Sequence, residues 1–151
     1  MEAKRVIIVG ASGMIGGLAL RGCLDDDAVG AVTVLVRRPI GIDHPKLSEV
    51  IHSDYADYSG VADALVGQDA ALFCLGAYTG SVPDDEFRKI TVDYAVNFAR
   101  ALHPASPDAA FCFLSGAGAD QTGRSRMAFA RYKGEAEKTL LGVGFPRVHI
   151  F

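Results

Sequence analysis

The chain has 151 residues, half of them hydrophobic, which is room for one globular domain with one core. A net charge of −3 supplies no basic field for nucleic acid, and no apolar run reaches membrane-spanning length. Three cysteines, Cys23, Cys74 and Cys112, are odd in number, and the last two lie in apolar runs, so neither a disulfide framework nor a metal site is expected.

Met1-Glu-Ala-Lys-Arg leads straight into an apolar run, unlike a secretory signal, and a reducing, cytoplasmic setting is expected. Val6 to Val9 is β-branched and wholly apolar, the composition of a strand buried on both faces. It breaks at Gly10, and from Gly13 the chain reads as a helix to about Cys23. Strand, glycine turn and helix together form the context of a phosphate-binding loop. Gly10 permits the tight turn, Gly13 leaves the main chain open to a pyrophosphate, and Gly16 lets helix and strand pack closely. The first-turn N–H groups and the helix dipole then face the anion, so Ser12, Met14 and Ile15 join the glycines as candidate dinucleotide contacts.

The spacing Gly10-x-x-Gly13-x-x-Gly16 resembles the short-chain dehydrogenase/reductase superfamily in its extended and atypical branches. Ala31–Val36 is a second β-branched run, ending at Arg37-Arg38-Pro39. In a dinucleotide fold the end of the second strand lies beside the adenosine ribose. A carboxylate there would accept from the 2′-hydroxyl, whereas guanidinium groups match a 2′-phosphate, so NADP is expected ahead of NAD. Ser48–His52 reads as a third strand. The resemblance implies that Asp54 after it touches the adenine, with Tyr55 beside it; a turn cap is the other reading of Asp54. Tyr58–Val66 reads as a small amphipathic helix and Asp69–Leu75 as a fourth strand. The resemblance places the strand's end, Leu75, Gly76 and Ala77, beside the adenosine and its ribose.

Phe87, Ile90, Tyr94, Phe98 and Leu102 recur at helical spacing, which predicts one long helix from about Asp84 to Leu102. Ala109–Leu114 is a fifth strand, followed by Ser115-Gly-Ala-Gly-Ala-Asp120. A last helix spans about Arg124 to Gly142, and Arg147–Phe151 reads as a sixth strand. The fold expected is α/β, a doubly wound parallel sheet (Rossmann fold) over residues 1–151, six strands in the order 3-2-1-4-5-6 with helices on both faces.

Phe113-Leu-Ser-Gly-Ala-Gly-Ala-Asp120 and Lys133-Gly-Glu-Ala-Glu137 are especially similar to the atypical branch that includes the Tat-interacting oxidoreductase-like proteins. The resemblance implies an oxidoreductase acting on a carbonyl or alcohol, with a catalytic serine, tyrosine and lysine. Carried over, Ser115 is the serine and Lys133 the lysine, which also holds the nicotinamide ribose. The tyrosine position is Phe129, which can neither give nor take a proton. Tyr132 lies about 100° around the helix from Lys133, a weak stand-in. Two alternatives follow: a dinucleotide-binding sensor or interaction module without hydride chemistry, and a sugar-nucleotide epimerase or dehydratase-like protein. The family's C-terminal substrate segment has no counterpart in these 151 residues. Self-association through the apolar sixth strand, an edge, is expected; the other partners are the dinucleotide and an unidentified small-molecule substrate.

Overall fold

The computed structural model describes residues 2–151. Six parallel strands form one sheet in the order β3-β2-β1-β4-β5-β6, as expected. They are β1 (Lys4–Val9), β2 (Val29–Val36), β3 (Leu47–Ile51), β4 (Ala70–Phe73), β5 (Ala110–Phe113) and β6 (Arg147–Ile150). The order reverses between β1 and β4, so the loops after these two strands diverge and leave a crevice at their carboxyl ends.

Strand alternation splits the core in two. Val6, Ile8, Val32 and Val34 point to one face, where α1 (Met14–Asp25) covers them with Leu20 and Leu24. Ile7, Val9, Leu35, Phe73, Phe111 and Phe113 point to the other, under α3 (Tyr94–Ala105) and α4 (Ala128–Leu141). Phe73, Phe98, Phe111 and Phe113 are fully buried, and aromatic rings of this size contribute most of the apolar area removed from water on that face.

Three elements differ from the sequence expectation. The stretch Tyr58–Val66 forms a 3₁₀ turn, Ser59–Leu65, interrupted at Val61. The long helix is composite: α2 (Asp84–Arg88), a π-helical turn (Lys89–Asp93) and α3, running on past Leu102 through Pro104. A π turn inserts one residue into the helical phase, so Thr91, Val92, Ala95 and Val96 face the core while Ile90 and Tyr94 are half-buried. Finally, α4 starts at Ala128, because residues before it fold into a turn around the Asp120 carboxylate. That carboxylate accepts from the backbone N–H groups of Thr122, Arg124 and Ser125. Among the described residues no helix is long and apolar enough to cross a membrane.

Candidate functional site

The loop between β1 and α1 carries three glycines under three different constraints. Gly10 sits at φ +91°, and a Cβ there would lie 2.6 Å from the backbone nitrogen of Leu75. Gly16 is pressed against the carbonyl of Gly10, where a Cβ would overlap it. At Gly13 a Cβ would meet only the Gly10 oxygen, at 3.4 Å, and otherwise project into open space. The first two glycines build the turn; the third keeps a face clear.

Helix α1 begins at this clear face. Gly17 N–H makes its first intrahelical bond, to Gly13 O at 2.8 Å, and no side chain of the described residues caps the helix. The donors of the first turn therefore point, with the positive end of the dipole, into the crevice. A cavity of about 580 Å³ opens there, running from Gly10, Ser12, Gly13 and Met14 across Leu75 to Arg37, Arg38 and Tyr55. Three arginines line it, Arg21, Arg37 and Arg38, and among the described residues no aspartate or glutamate does. Glu49 on the neighbouring strand is turned to the backbone N–H of Ile40, at 3.1 Å. A cradle with free helix N–H groups, an uncovered glycine and arginines at its far end fits a nucleotide bearing a pyrophosphate.

Arg21 was not singled out in the sequence. It lies seven residues past Met14, so Met14, Gly17, Leu18 and Arg21 form one stripe of α1 facing the cavity. That spacing was its only signal. The expected contacts Ile15, Gly16, Asp54, Gly76, Ala77 and Lys133 do not line this cavity. Asp54 instead accepts from the Ala56 N–H at 3.0 Å, a turn cap.

The second cluster stands two strands away, at the end of β5, roughly 10 Å along the sheet. Ser115 is fixed through its backbone N–H, which donates to Phe151 O at 2.7 Å. Its hydroxyl donates to Glu137 Oε1 at 2.5 Å, and Gln121 Nε2 donates to Glu137 Oε2 at 2.9 Å. Lys133 Nζ donates to Leu114 O at 3.0 Å and rests 5.0 Å from the centre of the Phe113 ring. Lys133 and Glu137 are each only 8% exposed. Burial pulls the Lys133 ammonium below the usual lysine range, and Glu137 offsets part of that shift.

Phe129, Lys133 and Glu137 are spaced by four and share one face of α4, directed at the loop after β5. The tip of the Phe129 ring lies where a side chain on Gly116 would have to go. Tyr132 is on a different face: its hydroxyl donates to Asp84 Oδ2 at 2.7 Å and its ring packs on Phe87. The structure thus brings Ser115 and Lys133 to one place and leaves Tyr132 apart from them. Glu137 and Gln121 were missed in the sequence, although Glu137 continues the row from Phe129 and Lys133.

A family model described as NAD(P)H-binding matches residues 10–140. Protein HTATIP2 of Rattus norvegicus is 29% identical over 153 residues, covering 100% of this chain and 62% of the rat protein. Protein fmp52, mitochondrial, of Aspergillus clavatus is 28% identical, over 96% of this chain and 63% of its own length. The chain therefore spans less than two thirds of these curated relatives. Among solved structures, the Bordetella bronchiseptica enzyme WbmG in complex with NAD aligns at a TM-score of 0.76 and 17% identity, over 99% of this chain and 52% of that one. A short-chain dehydrogenase of Burkholderia cenocepacia in complex with NADP gives the same score and identity, over 99% and 70%. Identities this low establish a shared fold.

Proposed function

The chain belongs to the NAD(P)H-binding family, a Rossmann group akin to the short-chain dehydrogenases/reductases, and we propose that it binds NADP(H) and belongs to an oxidoreductase acting on an alcohol or carbonyl group. The observation that carries the cofactor reading is the arginine-lined cavity continuous with the uncapped α1 N-terminus. The uncapped first turn of α1, which meets the cavity at Met14, would hold the pyrophosphate, and Arg37 and Arg38 would take the 2′-phosphate that NAD lacks. When bound, a nicotinamide dinucleotide supplies hydride transfer. The cluster where α4 meets the end of β5 would supply the rest: Lys133, its ammonium held on Leu114 O, would bind the nicotinamide ribose, and Ser115 would hold the substrate oxygen.

Phe129 favours a second reading, a dinucleotide-binding sensor or interaction module, because a phenyl ring at the tyrosine position takes no part in proton transfer. Both readings share the cofactor. Titration of the chain with NADPH and NADH, followed by fluorescence or calorimetry, tests it. A charge-assisted guanidinium–phosphate contact contributes about 1.5–3 kcal/mol, so NADPH is expected to bind roughly tenfold or more tightly. The Arg37→Ala, Arg38→Ala double variant loses that preference. Equal affinities in the wild type refute the assignment to NADP.

A further inference from the structure

The hydroxyl proton of Ser115 is already committed. It is donated at 2.5 Å to Glu137 Oε1. The second oxygen of Glu137 is taken by Gln121 Nε2 at 2.9 Å, so both partners are donors and the carboxylate is held in place from two sides. What Ser115 presents to the site is therefore a pair of lone-pair orbitals. A ketone or aldehyde oxygen, itself an acceptor, finds no donor in that hydroxyl. An alcohol, whose O–H donates, finds an acceptor. Nor do the neighbouring aromatic side chains supply a proton: Phe129 has none, and the Tyr132 hydroxyl is spent on Asp84.

We propose that Ser115 and Glu137 together form the proton acceptor of this site, and that the substrate class it takes is an alcohol. The inference rests on the cofactor reading, that an oxidised nicotinamide dinucleotide binds at the crevice and is the hydride acceptor. In the step, the substrate O–H proton passes to Ser115 Oγ while the serine's own proton passes to Glu137 Oε1. The hydride on the same carbon goes to the dinucleotide. One C–H and one O–H bond break, C=O forms, the alcohol is oxidised and the dinucleotide reduced. Glu137, left as the neutral acid, returns its proton to water. Ser115 is the catalytic residue that touches the substrate; Glu137 acts through it, from one helical turn beyond Lys133. The pair does the work for which Phe129 is unequipped.

Cyclohexanol and cyclohexanone have the same ring and differ in hydrogen-bond sense, which makes them probes of polarity. Each is titrated by NMR into the wild-type chain, Glu137→Gln and Ser115→Ala, all loaded with NADP⁺, reading the Ser115–Gly118 amides. Wild type is expected to prefer the alcohol by roughly tenfold, the worth of one hydrogen bond made or missed. Glutamine keeps both contacts, its oxygen on Gln121 and its amide N–H now donating to Ser115. That frees the serine proton, so in Glu137→Gln the preference reverses toward the ketone; Ser115→Ala has none. Cyclohexanol-dependent reduction of NADP⁺ falls about a hundredfold in Glu137→Gln, with NADP⁺ affinity and melting temperature unchanged. No alcohol preference in the wild type, no binding of either probe, or an unaltered preference in Glu137→Gln overturns the proposal. Failure to bind NADP⁺ at all overturns the cofactor reading instead.

Discussion

At Gly16 a methyl group would overlap the Gly10 carbonyl, whereas at Gly13 it would point into the open crevice. The two glycines of one motif therefore fail differently. Gly13→Val is expected to melt near the wild-type temperature and to abolish dinucleotide binding, because the new side chain occupies the pyrophosphate's path. Gly16→Ala forces helix and strand apart, a strain of about 1–3 kcal/mol or more visible as a lower melting temperature. A Gly13→Val chain that still binds NADPH removes the loop from the site. Arg21 makes a similar prediction by charge: Arg21→Ala should weaken NADPH more than NADH, since its guanidinium shares the cavity with Arg37 and Arg38. Equal weakening of both would assign Arg21 to the pyrophosphate or to packing. The cysteines are made poor nucleophiles by the same kind of local effect. Burial, helped by Cys112 and Cys23, pushes the Cys74 thiol up to about 11. At pH 8 roughly one molecule in a thousand then carries a Cys74 thiolate, so a thiol reagent should modify Cys74 slowly until denaturant is added. Rapid native labelling of Cys74 contradicts the burial described.

Elements that rest on local pattern were legible in the sequence, and those set by distant contacts were not. The β-branched runs and the strand–glycine–helix junction are local, and they appear where expected, with ends shifted by one or two residues. The π turn at Lys89–Asp93 escaped, because a single inserted residue barely disturbs a helical period averaged over nineteen positions. The late start of α4 escaped for another reason. Asp120 N–H donates to Ala130 O, and the Asp120 carboxylate gathers the turn that follows, a three-dimensional arrangement with no periodic signature. Hydrogen bonds from Thr122 first, then from Ser125 and Arg124, hold that carboxyl below the usual aspartate range. The sign follows from linkage. A folded-state value below the unfolded one gives stability that is fully present above pH about 4 and is lost as pH falls through the folded value. Asp120→Ala is thus expected to lower the melting temperature at pH 7, with the gap to wild type closing below pH 4. A gap that stays constant across that range means the carboxylate is not what holds the turn.

Across the whole molecule, the strand order does what no single element does. Reversal between β1 and β4 opens the crevice, β2 brings the arginines to one side of it, and β5 places Ser115 on the other. The aromatic core beneath, Phe73, Phe98, Phe111 and Phe113, holds these ends in register. Parallel strands with helices on both faces followed from the alternation of strands and helices; the order of the strands came with the family resemblance. The polarity of the β5 end came from neither, since the Ser115–Glu137 bond joins residues 22 apart that meet only when α4 docks. The NADP assignment and the alcohol chemistry both depend on the dinucleotide lying along the carboxyl ends of β1, β2 and β5. Amide hydrogen exchange of the 151-residue chain with and without saturating NADPH maps that placement directly. Slowed exchange is expected from Gly10 to Leu18, from Arg37 to Ile42 and at Ser115–Gly116. Protection confined to the far surface around Arg100, Lys138 and Gly142, with the glycine loop unchanged, would contradict it.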